Sequence, residues 1–103
     1  MDRIVGRGTT PRLTYRLPFP AADIAESYIT VQQRGATVLE YALADCEVGE
    51  DSISAHLTQT DTLALDPEHT VKIQLRVRTV LGEAMRTEIT SVSVGRILKD
   101  GEI

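Results

Sequence analysis

Apolar and polar residues alternate singly along much of the chain, which is the period of a β-strand rather than a helix. The clearest run sets Val71, Ile73, Leu75 and Val77 against Lys72, Gln74, Arg76 and Arg78. One face is apolar and the other charged or polar, as in an antiparallel sheet with one wet side. Leu13, Tyr15 and Leu17 alternate with Arg12, Thr14 and Arg16 and predict a first strand. Pro18-Phe19-Pro20 closes it, because proline has no amide proton to give the ladder. Residues 27–33 predict a second strand with Ile29 and Val31 inward and Thr30 and Gln32 outward. Arg34-Gly35 then turns the chain into a third, residues 37–43, as a hairpin. Residues 52–57 predict a fourth, with Ile53, Ala55 and Leu57 on one face and His56 on the other. Residues 86–94 return as the last long strand. Its parity slips between Ile89 and the pair Val92 and Val94, and a β-bulge near Thr90-Ser91 would restore it.

Helical signals are brief. Residues 21–26 follow Pro20 and suffice for one or two turns, too few for an independent helix. Thr58 with Asp61 three residues later reads as the cap of a single turn. Asp66-Pro67-Glu68 and Leu81-Gly82-Glu83 read as chain reversals. The expected core is Leu13, Leu17, Ile29, Val31, Ile53, Leu57, Val71, Ile73, Leu75, Val77, Val92 and Val94. Composition agrees: 12 Thr, 9 Val and 8 Ile are β-branched and pack well on pleated sheets. The chain has 103 residues, the size of one domain. Residues 1–11 contain Gly6, Gly8 and Pro11 and read as an N-terminal arm or loop; residues 12–103 read as a single domain. There is no alternation of strand and long helix, so a parallel nucleotide-binding sheet is not expected. About seven short strands in this length favour a sandwich of two sheets over a barrel.

The candidate chemistry is sparse. The formal net charge is −4, against the concentrated basic surface that nucleic acid requires. Lys72, Arg76 and Arg78 make a basic stripe on one strand face, with no exposed aromatic expected between them to stack bases. A solvated face or a protein contact suits the stripe better, arginine being enriched at interfaces. Cys46 is the single cysteine, so no intrachain disulfide forms. It reads as a small, half-buried thiol, since neither His56 nor His69 lies in a local nucleophile–base signature. Asp45, Glu47, Glu50 and Asp51 crowd one segment but lack the spacing of an EF-hand, and read as an acidic surface loop. Asp61 and Asp66 sit where caps and Asx-turns form. Gly6-Arg7-Gly8-Thr9-Thr10 lacks the lysine and helix of a phosphate loop. No catalytic residue, cofactor or metal is therefore expected. The first residues show no apolar h-region and predict no signal peptide, and no stretch approaches the length of a membrane span.

Several strings resemble small structural proteins encoded by prophages of Gram-positive bacteria. They are Arg7-Gly8-Thr9-Thr10-Pro11 with Leu13-Thr14-Tyr15-Arg16-Leu17; Tyr28-Ile29-Thr30-Val31-Gln32-Gln33; Val38-Leu39-Glu40; Leu57-Thr58-Gln59-Thr60-Asp61-Thr62; Ile73-Gln74-Leu75-Arg76-Val77; and the ending Leu98-Lys99-Asp100-Gly101-Glu102-Ile103. The layout is also similar to the N-terminal immunoglobulin-like domain of phage baseplate upper proteins. The resemblance implies an all-β fold, an Ig-like antiparallel β-sandwich of about seven strands with one or two short helical turns. It implies a non-enzymatic tail or baseplate structural or assembly protein, located in the virion and assembled in the host cytoplasm. Its partners would be other tail or baseplate proteins or further copies of itself, not nucleic acid or membrane. Unlike the longer baseplate proteins, the chain is expected to carry no helical or receptor-binding region after Ile103. The alternative is a bacterial Ig-like binding module for a carbohydrate or protein ligand. Candidate contact residues are Ile4 and Val5, a small apolar anchor in the arm; Arg7 and Arg12 beside it; and Lys72, Arg76 and Arg78 on the stripe.

Overall fold

The structure is a computed structural model that describes residues 4–103; residues 1–3, the start of the expected arm, lie outside the described residues. Among the described residues nine strands form. They are β1 (Ile4–Gly6), β2 (Arg12–Arg16), β3 (Ile24–Gln33), β4 (Ala36–Ala42), β5 (Cys46–Val48), β6 (Ser52–His56), β7 (Val71–Thr79), β8 (Ala84–Arg86) and β9 (Thr90–Gly95). One short helix, α1 (Gln59–Leu63), and 3-10 turns at Ala21–Asp23 and Leu43–Asp45 complete the elements. The larger sheet runs β1-β9-β7-β3-β4, with β8 also paired to β7, and the smaller runs β2-β6-β5. The expected all-β sandwich with brief helical turns is what forms.

Alternation sets the register. On β7, Val71, Ile73, Leu75 and Val77 are buried while Lys72, Arg76 and Arg78 are exposed. Ile29 and Val31 lie opposite Leu75 and Ile73 across the β3–β7 ladder. Ile53, Ala55 and Leu57 close the core from the smaller sheet. Eleven of the twelve expected core residues are buried, and Leu13 is half-buried at the edge of the smaller sheet. The β3–β4 hairpin turns through Arg34 at φ 55° and Gly35 at φ 77°. Two consecutive positive φ values match the right-handed twist of the paired strands. The cap of α1 is the expected one: the Thr58 hydroxyl accepts from the Asp61 amide, and the Asp61 carboxylate accepts from the Thr58 amide, both at 3.1 Å.

Three expectations need correction. Residues 4–6 are not a detached arm: β1 pairs with β9 in parallel, Val5 opposite Val94, and Val5 is 6% exposed within the core. Burying even one valine contributes roughly 1.5–3 kcal/mol, enough to hold so short a strand in place. The acidic segment 45–51 is partly strand, because Cys46, Glu47 and Val48 pair with Ala55, Ser54 and Ile53 on β6. The last strand breaks at residues 87–89, earlier than Thr90-Ser91, into β8 and β9. At the break Thr87 donates its amide to the Leu75 carbonyl at 2.9 Å and accepts the Leu75 amide on its own hydroxyl at 3.1 Å. A side chain thus takes the place of a backbone acceptor, and the ladder resumes with its parity restored.

Candidate functional site

The basic stripe lies on the outer face of the larger sheet, on the interior strand β7. Arg78 donates to Glu26 at 3.1 Å, and the Tyr28 hydroxyl donates to the other oxygen of the same carboxylate at 2.7 Å. The Tyr28 hydrogen bond, then that of Arg78, hold the Glu26 carboxyl below its usual range, and Glu26 in turn raises the Tyr28 phenol. Tyr28 stands directly opposite Arg76 on the β3–β7 ladder and is 37% exposed. An exposed aromatic therefore does adjoin the stripe, contrary to the expectation from the sequence. Cross-strand neighbours are invisible in a linear pattern. The Glu26 carboxylate beside that ring offsets the arginines, so the face is mixed in sign rather than a phosphate track. Lys72 lies along the same face beside Gln32, Gln74 and the exposed Ile89.

The other candidates sit apart from the stripe. Ile4 is on β1, where its backbone pairs with Ser93. Val5 is core. Arg7 turns inward: its Nη2 donates to the Leu63 carbonyl at 3.0 Å at the end of α1, and its Nη1 is 3.6 Å from Asp100. Its side chain ties β1 to α1 and to the C-terminal tail. Arg12, on β2 of the smaller sheet, is exposed and pairs with Glu47 on β5 at 3.4 Å. The seven candidates do not converge on one surface.

The remaining titratable groups serve the fold. Asp45 accepts the Ala42 amide at 3.0 Å. Asp61 accepts the Tyr41 hydroxyl at 3.0 Å as well as capping α1. Burial, then that Asp61 contact, push the Tyr41 phenol above the usual tyrosine range. Asp66 accepts from the Glu68 amide and meets His69 Nδ1, each at 2.9 Å. The Cys46 thiol is half-buried, and burial followed by the Asp45 charge raises it. Among the described residues no three His, Cys, Asp or Glu side chains are grouped to hold a metal ion, and no helix is long and apolar enough to cross a membrane.

One end of the sandwich is different in character. The turn after β7 carries Val80, 63% exposed, and Leu81, 88% exposed. With Pro18, Phe19 and Met85 they line a hollow of about 480 Å³ rimmed by Asp23 and Glu83. The backbone that carries these side chains is fixed. The Val80 amide donates to the Asp23 carbonyl at 2.8 Å, and the Gly82 amide to the Thr79 carbonyl at 2.9 Å. Gly82, at φ 90°, supplies the left-handed backbone that the turn requires. In the linear pattern Pro18-Phe19-Pro20 and Leu81-Gly82-Glu83 mark only the ends of strands. The further signal is their apolar content, since turns are ordinarily polar.

The chain aligns with the crystal structure of the immunoglobulin-like domain of mouse leukocyte-associated immunoglobulin-like receptor 1, described as a strand-swapped dimer. The TM-score is 0.52 at 10% identity, over 90% of this chain and 86% of that one. The fold is immunoglobulin-like. At that identity the likeness speaks for the fold alone, and the phage resemblance rests on the sequence strings. No family model matches the chain, and no curated protein matches it. The Ig-like frame clarifies the smaller sheet. Constant-type Ig domains set a four-stranded sheet against a three-stranded one. Here the β2-β6-β5 sheet has three strands, and the N-terminal strand β1 joins β9 of the other sheet instead.

Proposed function

We propose that this Ig-like domain is a non-enzymatic binding module that engages another protein through the apolar end built by Phe19, Val80, Leu81 and Met85. The observation that carries the reading is a fixed turn presenting Leu81 at 88% exposure beside a further apolar hollow. Monomeric proteins seldom expose contiguous apolar surface without using it. The titratable groups support a binding role over catalysis, because the carboxylates that bond Tyr41, His69 and Tyr28 are those of Asp61 on a cap, Asp66 on a turn and Glu26 on the sheet face. A carbohydrate ligand is less well supported: sugar sites use exposed ring faces, Tyr41 is half-buried with its hydroxyl on Asp61, and the one exposed tyrosine, Tyr28, spends its hydroxyl on Glu26.

The finer reading is a bacteriophage tail or baseplate accessory subunit, assembled in the host cytoplasm and carried in the virion. It rests on the family resemblance. Particles purified after prophage induction should contain the chain in stoichiometric amount by mass spectrometry; particles lacking it would sink the virion assignment. The binding surface is tested separately by placing a photo-crosslinking residue at Leu81 or, as a control, at Lys99. A single discrete adduct from Leu81, lost on Phe19→Ser, is expected. Equal adducts from both positions would refute the apolar end as the contact.

A further inference from the structure

The smaller sheet ends abruptly at β2. Leu17 donates to the Asp51 carbonyl at 2.7 Å and Leu57 donates to the Pro11 carbonyl at 2.9 Å, in line with the Leu13–Ala55 and Tyr15–Ile53 pairs. The backbone of the odd-numbered residues therefore faces β6. That of Arg12, Thr14 and Arg16 faces away, and among the described residues no strand pairs with that side. The edge is short and its charges are those of Arg12 and Arg16, but β2 holds no proline, lysine or bulge that would keep a further strand from pairing with it.

Beside the end of β2 the core is open. Leu75 and Val77, both core residues of β7, line a groove of about 120 Å³ together with Leu17, Phe19 and Met85. The groove runs between β2 and β8, where a further strand beside β2 would place an inward side chain. Arg16 and Arg86 stand on its rim. Among the described residues no carboxylate pairs with Arg16, and Arg86 has only Glu88 at 3.9 Å. Both arginines are exposed, so the mouth of an apolar groove carries two scarcely compensated positive charges.

We propose that the outer edge of β2 accepts an extended acidic segment of another polypeptide as a fourth strand of the smaller sheet. Its backbone bonds to Arg12, Thr14 and Arg16. One apolar side chain fills the groove over Leu75 and Val77, and its carboxylates lie beside Arg16 and Arg86. Strand addition of this kind takes its affinity from main-chain bonds and its selectivity from alternate side chains. The proposal rests on the reading of the chain as a protein-binding module, but it uses a backbone edge where that reading uses the Leu81 turn.

The probe is a synthetic peptide, Glu-Val-Glu-Val-Glu-Val-Glu, with its Lys-Val counterpart as control. Backbone amide exchange followed by NMR should show Thr14 and Arg16 unprotected in the free protein and protected with the acidic peptide. Thr14→Pro removes an amide that the β2–β6 ladder does not use and should abolish binding. Arg16→Glu combined with Arg86→Glu should weaken binding by about tenfold or more while leaving the spectrum of the core unchanged. Equal binding of the lysine peptide would overturn the proposal, as would new protection at other amides while Thr14 and Arg16 stay unprotected. Protection already present in the free protein would overturn it too, because the edge would then already be paired. The groove shares Phe19 and Met85 with the apolar end, so the two readings are told apart by the outward amides of Thr14 and Arg16, which a contact at the Leu81 turn does not use.

Discussion

Gln33 fastens the turn that leads into β7 just beyond the last rung of the β3–β7 ladder, and removing its side chain is the sharpest test of that packing. The residue ends β3 and is 6% exposed. Its Nε2 donates to the Asp66 carbonyl at 2.8 Å and to the His69 carbonyl at 3.0 Å, and its Oε1 accepts the Asp66 amide at 2.9 Å. One amide side chain thus satisfies three backbone groups of the turn that leads into β7. Gln33→Ala deletes all three bonds at once. At a net value of about 1 kcal/mol per bond, the loss is about 3 kcal/mol. For a domain of this size that lowers the melting temperature by roughly 12–24 °C. The neighbour Gln32 points to the other face, and Gln32→Ala should change stability by less than about 0.5 kcal/mol. Urea unfolding followed by circular dichroism measures both. A loss for Gln33→Ala below about 1 kcal/mol at unchanged slope, the value of a single bond, would refute the clamp.

Ile73→Ala, in the centre of the core, should cost about 2–5 kcal/mol by the same assay; a loss under about 1 kcal/mol would remove Ile73 from the core. Val5→Ala should cost about 1.6 kcal/mol, two methyl groups at about 0.8 each, and a neutral outcome would restore the view of residues 4–6 as a detached arm. The Tyr41 phenol is raised on folding by burial and by Asp61. Its contribution to stability is therefore complete below the unfolded value near about 10 and is lost as pH rises toward the folded value. The urea midpoint should fall above that pH, and the fall should be shallower in Tyr41→Phe; an identical fall in both would sink the assignment. Cys46, raised by burial and Asp45, should react with a thiol reagent more slowly than a free cysteine at the same pH. A rate equal to that of the free amino acid would contradict its half-buried position.

The parts of the fold legible in the sequence are those where a strand is wet on one side and dry on the other. β7 and β3 show this, and their faces follow directly from parity. β5 was hidden because its residues are half-buried or exposed on both sides, so no alternation marks it among the carboxylates. β1 was hidden because a three-residue strand ending on Gly6 takes its identity from its partner, and that partner lies far along the chain. The break after β8 depends on the Thr87 hydroxyl accepting a backbone amide, a substitution no propensity encodes. The candidate contacts fared in the same way. Arg76 and Arg78 were placed on the right face, but Tyr28 and Glu26 beside them belong to another strand. Arg7 looked like a free cation in a glycine-rich stretch and is instead an internal tie to Leu63. The apolar end was visible as composition, since Phe19, Val80 and Leu81 are misplaced in turns, but only the ladder brings those turns together.

The pairing of β1 with β9 also governs the order in which the protein can be completed. A ribosome releases β1 first and the residues that pair with it nearly last, so Val5 has no partner strand until Ser93–Gly95 have emerged. The β3–β4 hairpin and its neighbour β7 assemble from nearer segments in the meantime. Loop closure between distant segments is the slow part of β-protein folding, which runs on a scale of roughly milliseconds to seconds. The nascent domain therefore stays open along the β7 edge until β9 emerges, and β1 is locked in only after the strands that follow it in the chain.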